Sequence, residues 1–150
     1  MAQVASLAAE KAAVILTQAL VTTEFPRQQI VTQNTAPELA EKTAGAKYPA
    51  VYVYCGKVSN LLREKFRTFS GEAQMVVEVR ISQDRLEGLE AQTQLFAETV
   101  TDALDVQRGD WGDGMFFGGG YEIVYGPVKH GGRNFLQIAK VTFTVEVSIG

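Results

Sequence analysis

The chain has 150 residues, a formal net charge of −3, and a composition of 46% hydrophobic and 21% charged residues. This length suits one domain with a real core, and the composition fits neither a disordered chain nor a membrane protein. The slightly acidic balance excludes a generally basic nucleic-acid binder. The single cysteine, Cys55, and the single histidine, His130, exclude an internal disulfide, a cysteine-based zinc cluster and any site that needs two histidines.

The first predicted element is an alanine-rich helix over residues 3–21. Val4, Leu7 and Ala8 begin a helical apolar spacing, and Pro26 prevents continuation of the helix. Because polar positions are few, we expect this helix to be packed on both sides or covered by a neighbouring subunit. Glu10 and Lys11 interrupt the apolar stretch, so we do not interpret it as a signal peptide and expect synthesis in a reducing cytoplasm.

A long connection follows over residues 22–49. Residues 27–33 are compatible with a short strand or an extended arm. Pro37 stands at the first helical position of a capping box, and Gly45 is a plausible stop, so we predict a short helix over residues 37–44. A connection of this length is usually functional or an insertion.

Two strands are predicted next, over residues 50–57 and 72–81. The first is bulky on both faces and should be central in a sheet. The second alternates strictly, apart from Val76, which predicts one packed face and one polar face. Its inward residues are Met75, Val77, Val79 and Ile81, and its outward residues are Gln74, Glu78 and Arg80.

An amphipathic helix is predicted over residues 86–104, with Asp84 as its N-cap and Glu87 at the third position. Residues 105–120 are glycine-rich and predict a loop. The chain closes with strands over residues 121–125 and 135–149 around a turn. The last strand would span about 50 Å, so we expect it to project as a hairpin or to bend.

Together these elements predict one α+β domain over residues 1–150, with an antiparallel or mixed sheet, two main helices on one face and a long C-terminal β-hairpin.

The residues that carry chemistry do not form a recognised motif. His130 lies in a glycine-rich turn, and Cys55 lies among valines, as a small buried hydrophobe would. Asp105, Asp110 and Asp113 suggest calcium, but their spacing differs from that of an EF-hand, and aspartates are common turn formers. The glycines match neither phosphate-loop pattern. We therefore predict no catalytic, cofactor-binding or metal-binding residue, and no enzymatic activity.

Charge is distributed unevenly along the chain. Residues 57–67 carry four basic residues against one acid, and residues 87–113 carry seven acids against Arg108. Patches of opposite sign favour head-to-tail self-association, and simple solvated faces are the alternative. Large aromatic residues in the glycine-rich segment either anchor an interface or cover the open end of the core. The candidate interface residues are Lys57, Arg63, Lys65, Arg67, Glu87, Glu90, Glu98, Asp102, Trp111, Phe116, Phe117, Lys129 and Arg133.

The order of elements resembles that of the tail terminator proteins of long-tailed bacteriophages and phage-derived particles, also called tail completion or head–tail joining proteins. The likeness rests on the alanine-rich first helix and on PAVYVY entering the sheet. It continues with EAQMVVEVRI running into LEGLEAQTQLFAETVTDAL, and with YEIVYGP and the terminal VTFTVEV. Residues 22–49 and 105–120 are long for that family.

The resemblance implies a non-enzymatic ring, usually of six copies, that caps the tail tube and ends its polymerisation. The partners would be further copies of the chain, the tail tube protein and a neck or connector protein, with DNA only passing through the lumen. No cofactor or membrane is implied, and the protein would be assembled in the host cytoplasm and reside in the virion, at the head-proximal end of the tail. The alternatives are a tail tube or neck component, or a small ligand-binding or enzymatic domain built around His130.

Within such a ring, we expect the acidic helix over residues 86–104 to meet basic residues of the neighbouring copy. Lys57, Arg63, Lys65 and Arg67 are the candidates for that contact. The terminal hairpin or the 105–120 segment would then contact the tube or the neck.

Overall fold

A computed structural model of the chain describes residues 3–20, 30–32, 50–131 and 133–150. The elements in these ranges are α1 (Val4–Leu20), β1 (Ile30–Thr32), β2 (Ala50–Asn60), β3 (Phe69–Gln83), α2 (Leu89–Asp105), β4 (Gly109–Gly112), β5 (Met115–Tyr125), β6 (Lys129–Gly131) and β7 (Asn134–Ile149). The helix predicted over residues 37–44 lies outside the described residues.

The strands form one mostly antiparallel sheet in the order β1-β2-β3-β7-β5-β4. The short strand β1 pairs with β2 in parallel, and the other pairings are antiparallel. β5 and β6 pair with successive parts of β7, so they form one interrupted arm of a hairpin whose other arm is β7. The α+β class and the C-terminal hairpin are confirmed.

Both helices pack on one face of this sheet, which we call the helix face. α1 lies against β1, β2 and β3, and α2 lies against β7, β3 and β5. Alternate strand residues such as Val77 and Val141 belong to one buried core with small α1 residues such as Ala8 and Ala12. Leu7, which belongs to the apolar spacing of α1, is exposed in the single chain.

The length of β7 is matched by β3. The two strands pair from Gln83 opposite Phe135 to Phe69 opposite Ile149. β7 therefore does not project, which excludes the first of the two predicted alternatives, because β3 continues three residues beyond the 72–81 segment at its N-terminal end and two residues beyond it at its C-terminal end.

The glycine-rich segment is largely strand rather than loop, which corrects the prediction. Trp111 and Phe117 reach the core, where their ring centroids lie 5.7 Å apart, and Phe117 packs on Phe143 at 5.2 Å. The glycines form a bulge: register shifts between Phe117 and Tyr121, with Gly119 at φ 109°. The buried aromatic residues thus fix this segment against the core, and the glycines form a bulge that takes up the extra residues of β5 relative to β7.

The start of α2 also differs from the prediction. The helix begins at Leu89, after Gly88 in the left-handed region at φ 81°, and makes no side-chain cap hydrogen bond. The Gln83 amide donates instead to the carbonyls of Arg85 and Glu87, at 2.7 and 2.8 Å. The turn before the helix is therefore held from the end of β3, and Asp84 is not its N-cap.

Candidate interaction surfaces

The basic candidates divide into residues already paired within the chain and residues without such a pair. Arg63 contacts Glu72 at 3.4 Å and Glu146 at 3.6 Å, and Arg67 contacts Glu64 at 3.3 Å. Lys57, on β2, and Lys65, in the β2–β3 connection, are exposed and make no ion pair with any described residue. The lysines are thus better placed than the arginines to meet a carboxylate on another molecule.

The β2–β3 connection also presents apolar side chains to solvent. Phe66 is 99% exposed and has a φ of 67°, and Leu62 is 69% exposed with a φ of 52°. Left-handed backbone is unfavourable for such residues. The turn is held by Asn60, whose side-chain oxygen accepts from the N–H groups of Leu62 at 3.3 Å and Ser70 at 3.1 Å. The Phe66 side chain therefore stands out from the surface.

The acidic candidates lie on the solvent side of α2 and in the turn before it. They are exposed and make no ion pair within the described part of the chain, which leaves this surface negative. Glu98 lies close enough to β5 to act on Tyr125, whose pKa is raised by burial first and by the Glu98 charge second. The acidic surface therefore reaches the β5 side of the sheet. Its members are Glu87, Glu90, Glu98 and Asp102.

The aromatic candidates are mostly core residues. Trp111 and Phe117 are buried, and the Trp111 indole N–H donates to the Gln107 carbonyl at 2.7 Å. They cannot be exposed anchors, which corrects that prediction in favour of the alternative that they close the core. Phe116 points to the face opposite the helices, here called the outer face, and stays 46% exposed.

The hairpin end carries Lys129, His130 and Arg133, all of them exposed. His130 stacks on Phe135 with ring centroids 4.7 Å apart. This contact positions the ring beside an apolar partner rather than beside an acid.

The three aspartates considered for calcium make separate contacts. Asp113 pairs with Lys11 at 3.3 Å, and Asp105 pairs with Arg108 at 3.5 Å. Asp110 accepts a hydrogen bond from the Gly112 N–H at 2.8 Å, as a turn residue does. Among the residues that the structure describes, no group of three or more His, Cys, Asp or Glu side chains is arranged to hold a metal ion.

A buried polar cluster on the outer face was missed by the sequence analysis. Glu78 accepts from the Tyr54 hydroxyl at 2.7 Å and pairs with Arg80 at 2.9 Å and Lys140 at 3.5 Å. The Arg80 guanidinium lies 5.4 Å from the centre of the Tyr52 ring. Glu78 and Arg80 lie on the outward face, as predicted, but they are at most 1% exposed, so this part of the polar face is buried rather than solvated. The sequence feature that could have indicated this cluster is the pair Tyr52 and Tyr54 on the neighbouring strand β2.

The thiol of Cys55 is half-buried in β2. Burial raises its pKa, and a backbone hydrogen bond with Lys57 partly offsets that rise. A raised pKa leaves little thiolate at neutral pH, so this side chain is a weak nucleophile.

No protein-family model and no curated protein matches the chain. In the described ranges, no helix has the length and apolar character needed to cross a bilayer. The described side chains that remain exposed and unpaired are therefore the basis for a functional proposal. Carboxylates lie on α2 and β5 and ammonium groups lie near the end of β2, while Lys129 and Arg133 add positive charge at the hairpin end.

Proposed function

We propose that the chain is a structural virion protein whose copies join head to tail into a ring. The ring would cap the tail tube of a long-tailed phage, end its polymerisation and offer a joining surface to the neck or connector. Further copies, the tube protein and the neck protein are its partners, and DNA crosses the lumen without base-specific contact.

The observation that carries this proposal is the separation of uncompensated charge across the sheet. Glu98 and Glu122 lie on the β5 side, while Lys57 and Lys65 lie on the β2 side, with β3 and β7 between the two strands. Unlike surfaces on opposite sides of one subunit support a heterologous contact, which closes into a ring when the rotation between copies is suitable. Electrostatic complementarity of this kind favours one register and one partner over others.

The exposed β2–β3 connection supports a second contact of the ring, with the tube or the neck. It projects Phe66 beyond the end of the sheet, and a fully exposed aromatic side chain is a common anchor once a partner buries it. This replaces the buried Trp111 and Phe117 as the expected aromatic contact.

Electron microscopy and native mass spectrometry of the purified protein, alone and with tail tubes, test the proposal. We expect single rings, or rings bound at one end of a tube. Long cylinders of the chain alone would identify a tube protein instead. A chain that stays monomeric and leaves tube ends uncapped would contradict both.

Charge reversal sharpens the test. Lys57→Glu combined with Lys65→Glu should weaken self-association at least about tenfold, since it places like charges in the contact. Lys57→Gln combined with Lys65→Gln is the control, because it removes the same two charges without placing like charges in the contact, and it should weaken association less. An enzyme built around His130 would instead lose activity in His130→Ala, a change that a ring protein should tolerate.

A further inference from the structure

We infer that neighbouring copies are joined by an antiparallel β-ladder between the outer edge of β5 in one copy and the outer edge of β2 in the next. The inference rests on the proposed ring, and it names the residues that make the contact. The two edges, the directions of their strands and one pair of charges support it independently.

The β5 edge is open over Tyr121–Tyr125. β7 pairs with β5 on one side along its length, whereas β4 pairs on the other side only as far as Phe117. Beyond that point, the described residues include no strand on the β4 side. Unprotected edges are templates for pairing with another chain. Here the sequence YEIVY has one charge and no proline, and it is bounded by the glycine bulge and by Pro127.

The hydrogen bond just after the end of β5 shows which of its residues have backbone groups that point away from β7. The Gly126 N–H donates to the Ile138 carbonyl of β7 at 2.8 Å. In an antiparallel pair, the backbone N–H and C=O groups of successive residues point alternately toward the partner strand and away from it. Val124 and Glu122 therefore also bond to β7, and the backbone groups of Tyr121, Ile123 and Tyr125 point away from it.

Part of β2 likewise has no described neighbouring strand on the side away from β3. Among the described residues, β1 pairs with β2 only at Val51–Val53, which leaves the later part of the strand without a neighbour on that side. The Leu61 N–H bonds to the Ser70 carbonyl of β3 at 3.1 Å. By the same alternation, the backbone groups of Val58 and Asn60 point outward.

Strand direction makes the two edges compatible. Across β2, β3, β7 and β5 the direction alternates, so β5 runs opposite to β2. A second copy placed beside β5 with the same face forward therefore presents its β2 edge antiparallel to β5. The sheet then continues from copy to copy, which a two-fold β5–β5 pairing would not allow, since that pairing ends at a dimer.

One register between β5 of one copy and β2 of the next brings outward-pointing backbone groups together and also pairs opposite charges. Lys57 and Glu122 both project from the outer face, beside Gln74 and Thr142 respectively. Placing Lys57 of one copy opposite Glu122 of the next aligns Val58 with Tyr121, and both of these have outward-pointing backbone groups. Their side chains then share the helix face. Lys57 and Glu122 form no ion pair with any described residue of their own chain, so each can pair with the other across the contact.

Disulfide trapping tests this register. In the ladder, Lys57 and Glu122 form a non-hydrogen-bonded pair with Cα atoms about 4.5 Å apart, within the range for a disulfide. In a Cys55→Ser background, Lys57→Cys with Glu122→Cys should give a series of linked oligomers on mild oxidation. A mixture of the two single variants should give only the mixed dimer.

Two controls make the outcome decisive. Lys57→Cys with Tyr121→Cys puts the thiols on opposite faces and should not link. A homodimer from Glu122→Cys alone would show β5–β5 pairing and overturn the inference. Rings without the Lys57–Glu122 link would overturn the ladder and leave the ring proposal standing, whereas neither link nor oligomer at any concentration, with or without tubes, would overturn both.

A proline variant tests the backbone separately. Tyr121→Pro removes an N–H that points outward and leaves the β7 ladder intact, so the fold should persist by circular dichroism. We expect self-association to weaken roughly tenfold or more relative to Tyr121→Val, which keeps the N–H. Equal association of the two variants would contradict the ladder.

Discussion

The two ends of the outer sheet face use the same residue types in different surroundings. At one end, Glu78 and Arg80 are almost completely buried and lie 2.9 Å apart. At the other end, Arg63 bridges Glu72 and Glu146, and all three side chains are between 39% and 60% exposed. Both ends belong to the same paired strands, and both follow the same alternation of polar residues.

The comparison indicates that ion pairs between the same residue types can contribute unequally to stability. A buried carboxylate has lost its hydration and depends on its protein partners, so removal of one partner is costly. An exposed pair gains little over its hydrated ions and is screened by salt. We therefore expect loss of one partner to cost more at the buried end than at the exposed end.

The largest expected effect is that of Glu78→Gln. It removes the Glu78 charge from beside the buried Arg80 guanidinium and should lower the free energy of unfolding by about 3 kcal/mol. Chemical denaturation with urea, followed by circular dichroism, measures the change. A loss no larger than that of Glu72→Gln would show that burial does not distinguish the two ends.

A smaller loss is expected from Tyr54→Phe. This variant keeps the ring but removes the hydroxyl that donates to Glu78 at 2.7 Å. Hydrogen bonds to charged groups contribute about 1.5 to 3 kcal/mol, and we expect the lower value. In a Glu78→Gln background the same change should cost less, because the acceptor is then neutral. Additive losses in this double-mutant cycle would argue against the contact.

At the exposed end, Glu72→Gln should lower stability by no more than about 0.5 kcal/mol, since Arg63 keeps Glu146 and the pair is hydrated. Raising the salt concentration to about 1 M should remove most of this difference, because the screening length then falls to about 3 Å. Repeating the urea measurement at both salt concentrations checks this. A difference that persists at high salt would indicate a contact less exposed than the structure places it.

The smallest expected effect is on the titration of Cys55, which lies in β2 opposite Met75, between the Glu72 and Glu78 positions of β3. Its pKa is raised above the ordinary value of 9.0, mainly by burial. The native state therefore favours the neutral thiol, and this stabilisation is complete below pH 9.0 and is lost as the pH rises through the native pKa. The rate of alkylation by iodoacetamide should reach its half-maximum at a higher pH than in the urea-unfolded chain. Coincident profiles would contradict the burial.

Periodicity identified the elements that are long and regular. The alternation of Met75, Val77 and Val79 and the helical spacing before Leu104 predicted a sheet covered by two helices, because those patterns depend only on local geometry. The 105–120 segment was misread because glycine occurs in β-bulges as well as in loops. Only the pairing of β5 with β7 distinguishes the two.

The site was less predictable than the fold. Charge counts along the chain identified the acidic helix and the basic stretch. They could not show that Arg63 and Arg67 are already paired within the chain, whereas Lys57 and Lys65 are not, because those pairs join residues on different strands or across a turn.

The sequence alone determined the α+β class, the inward and outward alternation of the strands and the uneven distribution of charge, since each follows from neighbouring residues. Tertiary structure decided which polar residues are buried, which aromatic residues close the core and which strand edges stay open. These properties depend on what lies across the sheet from a residue, and that partner is distant in sequence. Burial of Glu78 and Arg80 on a face that looks polar is the clearest case.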